Sequence, residues 1–503
     1  MKKPLVLVLT LALLLSLVTF PNMTAAEDAD LIPMRYYMPG GPTPEAAAVN
    51  AAINEKLHAD GVMIDFTPIY VPWGEWIDKI NVLLSSGEEF ELLHIMEDWV
   101  TTSMYTGRGQ LTEVTPLIDE YAPELWDKFD EIMWRCVTVN GKIMSIPAYW
   151  RDNSGDMEGM LNFNETQLTK YGLPVPKTID EIFEVLPVLQ EKWKEEDGVS
   201  RYIYEHSANR CPVSLHRAYD SWPFYASQDG IFQVFQTGEA ALYFESEEFK
   251  NDCAFMHKAY TMGLIHPDTL NQPQDEINLD KQNGDYLLGI MTAGDDIYDD
   301  DGVTVKYHFA HVWLNEDGPF LLNLPLLNSN AIPITTPNPQ AGIQFLNWMY
   351  SSKENQDLVL YGIKDVHWTE PDADTYDRIK DEYNVPLYAF DFWMIEYVPY
   401  HRFDVMSTWD EYERADHMGN VRPDQTVVSV MTGFNFNTEP VKVEYANMMA
   451  EYTTSILPIK KGVVAYEDGI DEALAKMRAA GSQAVIDEYQ KQLTAYIAQV
   501  EAK

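Results

Sequence analysis

Residues 390–404 combine aromatic and polar side chains in an unusual way, and read FDFWMIEYVPYHRFD. Six of these fifteen side chains are aromatic, and charged groups stand between them. A core strand rarely contains so many charges, and a solvated loop rarely contains so many rings. The mixture is typical of a surface that holds a small molecule, where rings supply an apolar face and their neighbours supply hydrogen bonds. Trp393, Glu396 and Tyr397 are the candidate ligand contacts in this stretch.

Four shorter segments share this composition. They are 96–99 (MEDW), 148–153 (AYWRDN), 219–225 (YDSWPFY) and 311–313 (HVW). Each falls in a predicted loop or at the end of a predicted strand, where binding residues concentrate. They add these candidate contacts: Asp98, Trp99, Trp150, Arg151, Trp222 and Trp313. Trp73 and Trp76, in contrast, lie at helical spacing on an apolar stripe and are predicted to be core residues.

Motifs for catalysis and cofactor binding are missing from the sequence. It contains no GxSxG, HExxH, P-loop or GxGxxG pattern. The Asp-rich loop 292–306, aligned with a calcium-binding loop on Gly302, places Ile297 where the first aspartate is required. The many acidic residues leave a pair for glycoside hydrolysis possible, but nothing singles one out. We therefore predict no catalytic residue, no metal site and no cofactor.

The amino terminus has the pattern of an export signal. Lys2 and Lys3 precede an apolar run from Leu5 to Val18, and small residues follow at 24–26. The apolar run is shorter than a bilayer span, so residues 1–26 are predicted to be a cleaved signal peptide, with an uncleaved anchor as the alternative. The mature protein is expected to be exported, either extracellular or at the cell surface.

Composition limits the partners. The net charge of −44 disfavours nucleic acids, anionic membranes and polyanionic ligands. The three cysteines have no zinc-binding spacing. Cys211 and Cys253 either pair or act as small apolar residues, and both readings stay open.

Alternating β and α patterns predict the architecture. Strand-like runs at 31–38, 62–71 and 90–96 alternate with helical runs at 44–60 and 73–87. This alternation predicts an open α/β sheet, in which ligands bind beyond the carboxyl ends of the strands. The 503 residues exceed what one hydrophobic core usually holds, so two lobes are expected. In the absence of catalytic motifs, two exported lobes suggest a binding protein that closes about a hinge.

The carboxyl-terminal third resembles a known family. Residues 431–452 (MTGFNFNTEPVKVEYANMMAEY) and 462–497, with the segments KMRAAG and EYQKQ, are similar to the tail of extracellular solute-binding proteins of ABC importers, the lipoprotein type of Firmicutes. Upstream segments such as PWGEWIDKINVLLSSGEE and VNGKIMSIPA agree. The resemblance implies a two-lobe periplasmic-binding-protein type II fold with open mixed sheets and an interlobe hinge. It also implies a carbohydrate ligand, a permease pair as membrane partner, and no catalysis.

The resemblance also suggests how the lobes divide the chain. Lobe 1 is predicted to comprise 27–148 and about 305–365, and lobe 2 about 149–304 and 366–503. Family members usually carry a lipobox cysteine, whereas the first cysteine here is Cys136, so a lipid anchor is doubtful.

The combined prediction is a monomeric binding protein that captures an oligosaccharide in an interlobe cleft lined by the nine candidate residues and delivers it to an ABC permease. Three alternatives remain open: a peptide-binding ABC receptor, a secreted glycoside hydrolase, and a surface protein that binds a partner through its acidic face.

Overall fold

The computed structural model describes residues 31–97, 101–148, 160–205, 212–227, 230–290, 296–299, 304–322, 328–405 and 425–501. Within these ranges, no helix is both long enough and apolar enough to cross a bilayer. The candidates Asp98, Trp99, Trp150 and Arg151 lie outside the described residues, as does Cys211, the possible disulfide partner of Cys253. Cys253 is buried in the core.

The helices of this part of the chain are mostly short. In chain order they are α1 (Ala46–Ala59), α2 (Trp76–Ser86), α3 (Thr102–Gly107), α4 (Thr115–Tyr121), α5 (Glu131–Cys136), α6 (Glu165–Lys170), α7 (Ile179–Asp197), α8 (Glu247–Thr261), α9 (Gln274–Asn283), α10 (Pro339–Ser351), α11 (Lys353–Tyr361), α12 (Lys442–Glu451), α13 (Leu457–Lys460), α14 (Tyr466–Ala479) and α15 (Ser482–Glu501).

The strands run from two to eight residues. In chain order they are β1 (Ile32–Pro39), β2 (Ile64–Val71), β3 (Leu92–Met96), β4 (Thr138–Val139), β5 (Lys142–Ile143), β6 (Ile146–Pro147), β7 (Leu161–Asn164), β8 (Ile203–Glu205), β9 (Phe224–Ala226), β10 (Phe232–Phe235), β11 (Ala240–Leu242), β12 (Leu288–Ile290), β13 (Ile297–Tyr298), β14 (Val305–Tyr307), β15 (Phe309–Val312), β16 (Phe320–Leu322), β17 (Asn328–Ala331), β18 (Trp368–Thr369), β19 (Thr375–Arg378), β20 (Phe403–Asp404) and β21 (Thr426–Val428).

The first lobe is built on a mixed sheet of order β2-β1-β3-β17-β6. Strand β1 pairs in parallel with β2 and β3, and β17 runs antiparallel to both β3 and β6. The carboxyl ends of β1, β2, β3 and β6 therefore meet at one edge, which we call the carboxyl edge. Met34, Tyr36 and Met38 alternate along β1 and pack into the lobe's main core, as the period of two requires.

The second lobe contains two sheets and the carboxyl-terminal helices. Its four-stranded sheet has the order β15-β7-β12-β8, with β8 parallel to β12 and β7 antiparallel to its neighbours. A separate sheet, β11-β10-β9, shares a hydrophobic core with residues of α12, α14 and α15. The α/β class and the mixed sheets agree with the sequence-based prediction.

Two predicted lobe boundaries are wrong. Residues 305–322 were assigned to the first lobe, but β15 pairs with β7 of the second-lobe sheet. Residues after 365 were assigned to the second lobe, but Trp368, Tyr388 and Met394 are buried in the core of the first. Trp368 packs on Tyr361 of α11 with ring centroids 5.6 Å apart, and the Tyr388 hydroxyl donates to the Val359 carbonyl of the same helix at 2.7 Å. The Val405 amide donates to the Tyr376 carbonyl at 2.9 Å, so the first lobe extends to residue 405.

Gly462 marks a close backbone approach that should make the second lobe sensitive to one methyl group. Its φ is +73°, and an added Cβ would lie 2.3 Å from the carbonyl oxygen of Met256 and 2.6 Å from the nitrogen of His257. We expect Gly462→Ala to reduce the free energy of unfolding by about 2–4 kcal/mol, through left-handed strain and displaced backbone. Gly61→Ala is the control, because φ is +83° there but nothing lies within 4 Å. Equal losses in urea unfolding would contradict the packing argument.

Candidate functional site

Two tryptophans from different segments form an aromatic surface at the carboxyl edge. Trp73 lies in the turn that follows β2, and Trp393 lies in the turn 392–394. Their ring centroids are 5.8 Å apart with the planes inclined at 33°. Trp73 is 43% exposed, and Trp393 is half-buried against two hydrophobic clusters. We call these two side chains the aromatic pair. It stands where open α/β sheets bind ligands.

The exposure of Trp73 corrects the prediction that it belongs to the core. A short 3-10 turn covers Trp73–Glu75, and the α-helix begins only at Trp76, which is 3% exposed. The helical period therefore does not relate the two rings. Gly74, which lies between the two tryptophans, is the signal that could have revealed this, because glycine is unfavourable inside a helix.

A buried histidine lies beneath the aromatic pair. The imidazole of His94 makes an edge contact with Trp393, with centroids 5.4 Å apart, and is 1% exposed. Burial lowers the pKa of His94 to about 3, and the neighbouring Asn330 and Asn328 side chains oppose the shift. The imidazole is therefore neutral at physiological pH, and the floor below Trp393 has no charge.

A hydrogen-bond network fixes the turn that carries Trp393. The Asn330 side chain, on β17, donates to the carbonyl oxygen of Met394 at 3.1 Å. The same amide accepts a hydrogen bond from the Tyr36 hydroxyl at 2.6 Å. Both bonds are buried, where such bonds are strong and leave little freedom. The sheet thus holds Trp393 rigidly, as a stacking surface requires.

The buried His94 should make the stability of the first lobe depend on pH. The unfolded chain has the ordinary pKa of about 6.5 at this residue and binds more protons than the fold below that pH. The free energy of unfolding therefore has its full contribution from neutral His94 above pH 6.5, and this contribution is lost as the pH falls toward 3. Between pH 7 and pH 5 this loss is about 2 kcal/mol.

Urea unfolding of the wild type and His94→Asn at both pH values measures that contribution. The acidic residues lose stability in both proteins, so the difference between the two losses isolates His94. The wild type should lose about 2 kcal/mol more. Equal losses would mean that His94 is not held neutral by the fold.

Glu97 organises the carboxyl edge beside the aromatic pair. Its carboxylate accepts hydrogen bonds from the Thr102 amide at 2.9 Å, from the Ser329 hydroxyl at 2.7 Å and from the Thr102 hydroxyl. At the same edge, the amide of Ala148 donates to the Asn328 carbonyl at 3.0 Å. The described chain stops at Glu97 and Ala148, next to the candidates Asp98, Trp99, Trp150 and Arg151, which lie outside it.

Trp222 and Trp313 belong to the second lobe. The Trp222 indole donates to the carbonyl oxygen of Pro319 at 2.7 Å and is half-buried. Trp313 follows β15, at the end of the sheet where β8 and β12 also terminate, and its ring meets Phe320 edge-on at 6.3 Å. Buried Arg217 donates to four carbonyls of the loop that joins Trp313 to β16, namely Leu314, Asn315, Gly318 and Pro319.

Glu396 and Tyr397 make contacts with groups other than the aromatic pair. Glu396 is 2% exposed and accepts a hydrogen bond from His401 at 2.6 Å. Tyr397 packs edge-on to Phe129, and the Lys128 ammonium lies 5.0 Å from its ring. Their placement gives no support to ligand contact. The stretch 390–404 thus mixes buried and half-buried side chains, and Trp393 is the candidate contact of this stretch that lies at the carboxyl edge.

A cavity lies elsewhere, in the second lobe, and its wall includes Tyr202, Asp280, Asp285 and Lys461. Tyr202 and Asp285 precede β8 and β12, so this cavity is at the amino ends of those strands, opposite to the usual position of a ligand. The part of the chain that the structure describes holds no cluster of three potential metal ligands, and much of the loop 292–306 lies outside it.

Sequence comparisons place these features in a family context. Residues 40–356 match the family described as bacterial extracellular solute-binding protein, and residues 430–498 match a domain of unknown function, DUF3502. A carbohydrate ABC transporter substrate-binding protein of Streptococcus pneumoniae serotype 4 (strain ATCC BAA-334 / TIGR4) is 23% identical over 90% of this chain and 87% of its own. The polygalacturonan/rhamnogalacturonan-binding protein YtcQ of Bacillus subtilis (strain 168) is 22% identical over 65% of each chain.

Solved structures share the fold. The N-glycan transport solute binding protein NgtS of S. pneumoniae superimposes with a TM-score of 0.72 at 19% identity, covering 93% of this chain and 99% of its own. The S. pneumoniae ABC-transporter substrate binding protein FusA, solved with kestose, gives a TM-score of 0.62 at 13% identity, covering 93% and 100%. These similarities confirm the predicted two-lobe fold.

Proposed function

The chain belongs to the family of bacterial extracellular solute-binding proteins, and on that premise we propose that it captures an oligosaccharide and delivers it to the permease of an ABC importer. The aromatic pair is the observation that carries the proposal. It presents exposed ring surface at the carboxyl edge of the first lobe, where the fold places a solute.

The chemistry of this edge suits a sugar. A pyranose ring has an apolar C–H face that packs on an aromatic face, and hydroxyls around its rim that need hydrogen-bond partners. Asp391, exposed and two residues before Trp393, offers a carboxylate acceptor. Tyr70, the penultimate residue of β2, offers a phenol: burial, and to a lesser extent the negative charge of Asp391, raises its pKa to about 12, so it keeps its proton at physiological pH. The edge therefore supplies both a donor and an acceptor.

The names of the relatives support a carbohydrate. One relative is named as a carbohydrate ABC transporter protein and another as a polygalacturonan/rhamnogalacturonan-binding protein. Two structural neighbours were solved with Man1GlcNAc and with kestose. We propose a saccharide for this chain because its own aromatic pair agrees with that chemistry.

In the proposed cycle the protein is an exported monomer that binds and does not react. The open form admits the oligosaccharide to the first lobe, and Trp222 and Trp313 of the second lobe meet it as the lobes close. The ligand shifts the population toward the closed form, which the permease recognises. The saccharide leaves chemically unchanged.

Calorimetric titration against oligosaccharides and against mixed peptides tests this function. We expect one oligosaccharide to bind at one site per chain, with tryptophan fluorescence changing in parallel. Chromatography of the saccharide after overnight incubation should return it intact. Binding of peptides alone would overturn the carbohydrate assignment, and cleaved products would identify a hydrolase instead.

A further inference from the structure

The carboxyl-terminal region, residues 430–498, touches the first lobe at Gly433. The φ of Gly433 is +84°, and an added Cβ would lie 2.7 Å from the Tyr496 hydroxyl and 3.0 Å from both Cγ and the carbonyl oxygen of Arg135. Arg135 belongs to α5, whose Met133 and Trp134 are buried in the first-lobe core. Tyr496 belongs to α15 of the second lobe. The two lobes therefore meet here with no room for a side chain.

Tyr496 interacts with both partners of this contact, the segment before Gly433 and Arg135 of the first lobe. Its hydroxyl donates to the carbonyl oxygen of Thr432, the residue before Gly433. Burial raises the pKa of Tyr496 to about 12, and the charge and hydrogen bond of Arg135 act in the opposite direction. The phenol therefore keeps its proton at physiological pH. Phe434, 5.6 Å from the Tyr496 ring, packs the segment against α15.

The residues that follow Arg135 connect it to the carboxyl edge of the first lobe. The next residue, Cys136, ends α5, and its thiol pKa is raised to about 12 by burial and further by the negative charge of Glu97. Hydrogen bonds complete the connection: the carbonyl oxygen of Val137 accepts from the Met144 amide at 3.0 Å, and the hydroxyl of the next residue, Ser145, lies 3.0 Å from the Thr102 hydroxyl, which donates to Glu97. The same Glu97 carboxylate holds Thr102 and Ser329 at the carboxyl edge. A continuous set of contacts therefore connects the carboxyl-terminal region to Glu97.

We infer that Gly433, Tyr496 and Arg135 form a contact between the lobes, the interlobe brace, that positions Glu97. One role of the carboxyl-terminal region is then to hold the carboxyl edge of the first lobe in place. The link to ligand affinity rests on the proposed function, whereas the brace itself does not. Gly433, Tyr496 and Arg135 are positioning residues, since none of them is at the aromatic pair. If the brace exists, a substitution at residue 433 or 496 should change the hydrogen–deuterium exchange rate of the Thr102 amide, which lies in the other lobe.

Hydrogen–deuterium exchange of the ligand-free protein tests the brace. The Thr102 amide, which donates to Glu97, is the reporter. Tyr496→Phe removes only a hydroxyl, and Gly433→Ala adds a methyl group at the contact. We expect each to speed exchange of the peptide 101–107 about threefold or more. Gly481→Ala is the control, because φ there is +104° and a Cβ would meet only Glu444, inside the same region.

Two outcomes would overturn the inference. In one, Tyr496→Phe and Gly433→Ala leave exchange at 101–107 at the wild-type rate while exchange rises only in 430–436 and 490–498. In the other, Gly481→Ala speeds exchange at 101–107 as much as they do. If Gly433→Ala does not fold, Tyr496→Phe decides alone. Failure of every saccharide to bind would sink the proposed function and leave this measurement intact.

Discussion

Replacement of Trp73 or Trp393 by alanine should weaken oligosaccharide binding about 5- to 30-fold each, corresponding to about 1–2 kcal/mol per ring. Each ring offers a stacking face that no other described residue replaces in position. The rings touch, with centroids 5.8 Å apart, so the double variant should lose less than the sum of the two free energies. Calorimetric titration gives the three dissociation constants.

Met63→Ala is the matched control for Trp73→Ala. Met63 is 38% exposed and precedes β2, at the amino end of the strand that Trp73 follows. It should bind as the wild type does. Thermal unfolding of each variant must stay cooperative. If the tryptophan variants bind within twofold of the wild type, the aromatic pair is not the ligand surface.

Arg402→Met should destabilise the first lobe by about 3–5 kcal/mol. The guanidinium is 6% exposed and donates to Asp357 at 2.9–3.0 Å, to Glu370 at 2.6 Å and to the Ala373 carbonyl at 2.9 Å. Burial raises the pKa of Asp357, and Arg402 is the main group that opposes the rise. Without Arg402 the carboxylate is left buried and unpaired, which is the costly outcome.

Urea unfolding at pH 7 and pH 5 checks both the size and the cause of this loss. In the variant the Asp357 pKa rises further, so protonation relieves the buried charge as pH falls, and the deficit should shrink at pH 5. Arg478→Met, at the exposed pair with Glu245, should cost no more than about 1 kcal/mol. A loss below that value for Arg402→Met would contradict the role of the buried pair.

Local patterns predicted much of the first lobe. The alternation that begins at residue 31 leads to β1, α1, β2, α2 and β3 because each element is continuous in the chain. The lobe boundaries were harder, because they depend on pairing between residues that are distant in the chain: β15 joins β7 of the second lobe, and further along the chain β17 joins the sheet of the first lobe. The sequence of β17, NSNA, has no strand-like pattern, and long-range pairing rather than propensity makes it a strand.

For the candidate site, too, the sequence predicted the segment but not the direction of each side chain. The composition of 390–404 indicated a functional segment, and Trp393 does stand at the carboxyl edge. Composition did not reveal that Glu396 pairs with His401 in the interior, because the short turns 392–394 and 398–400 redirect the side chains. Trp73 was missed because the helical period that begins at Trp76 was extended backward into the turn 73–75. The direction of a side chain in a turn depends on the backbone geometry of that turn, and the spacing of residue types in the sequence does not determine that geometry.

Native mass spectrometry is the most direct test of the central claim, that this chain carries a saccharide on the aromatic pair. Protein purified from its own host should carry a bound mass made of sugar residues, one per chain. That mass should be absent when both Trp73 and Trp393 are replaced by alanine. A bound peptide, or a saccharide retained equally by the double variant, would contradict the account.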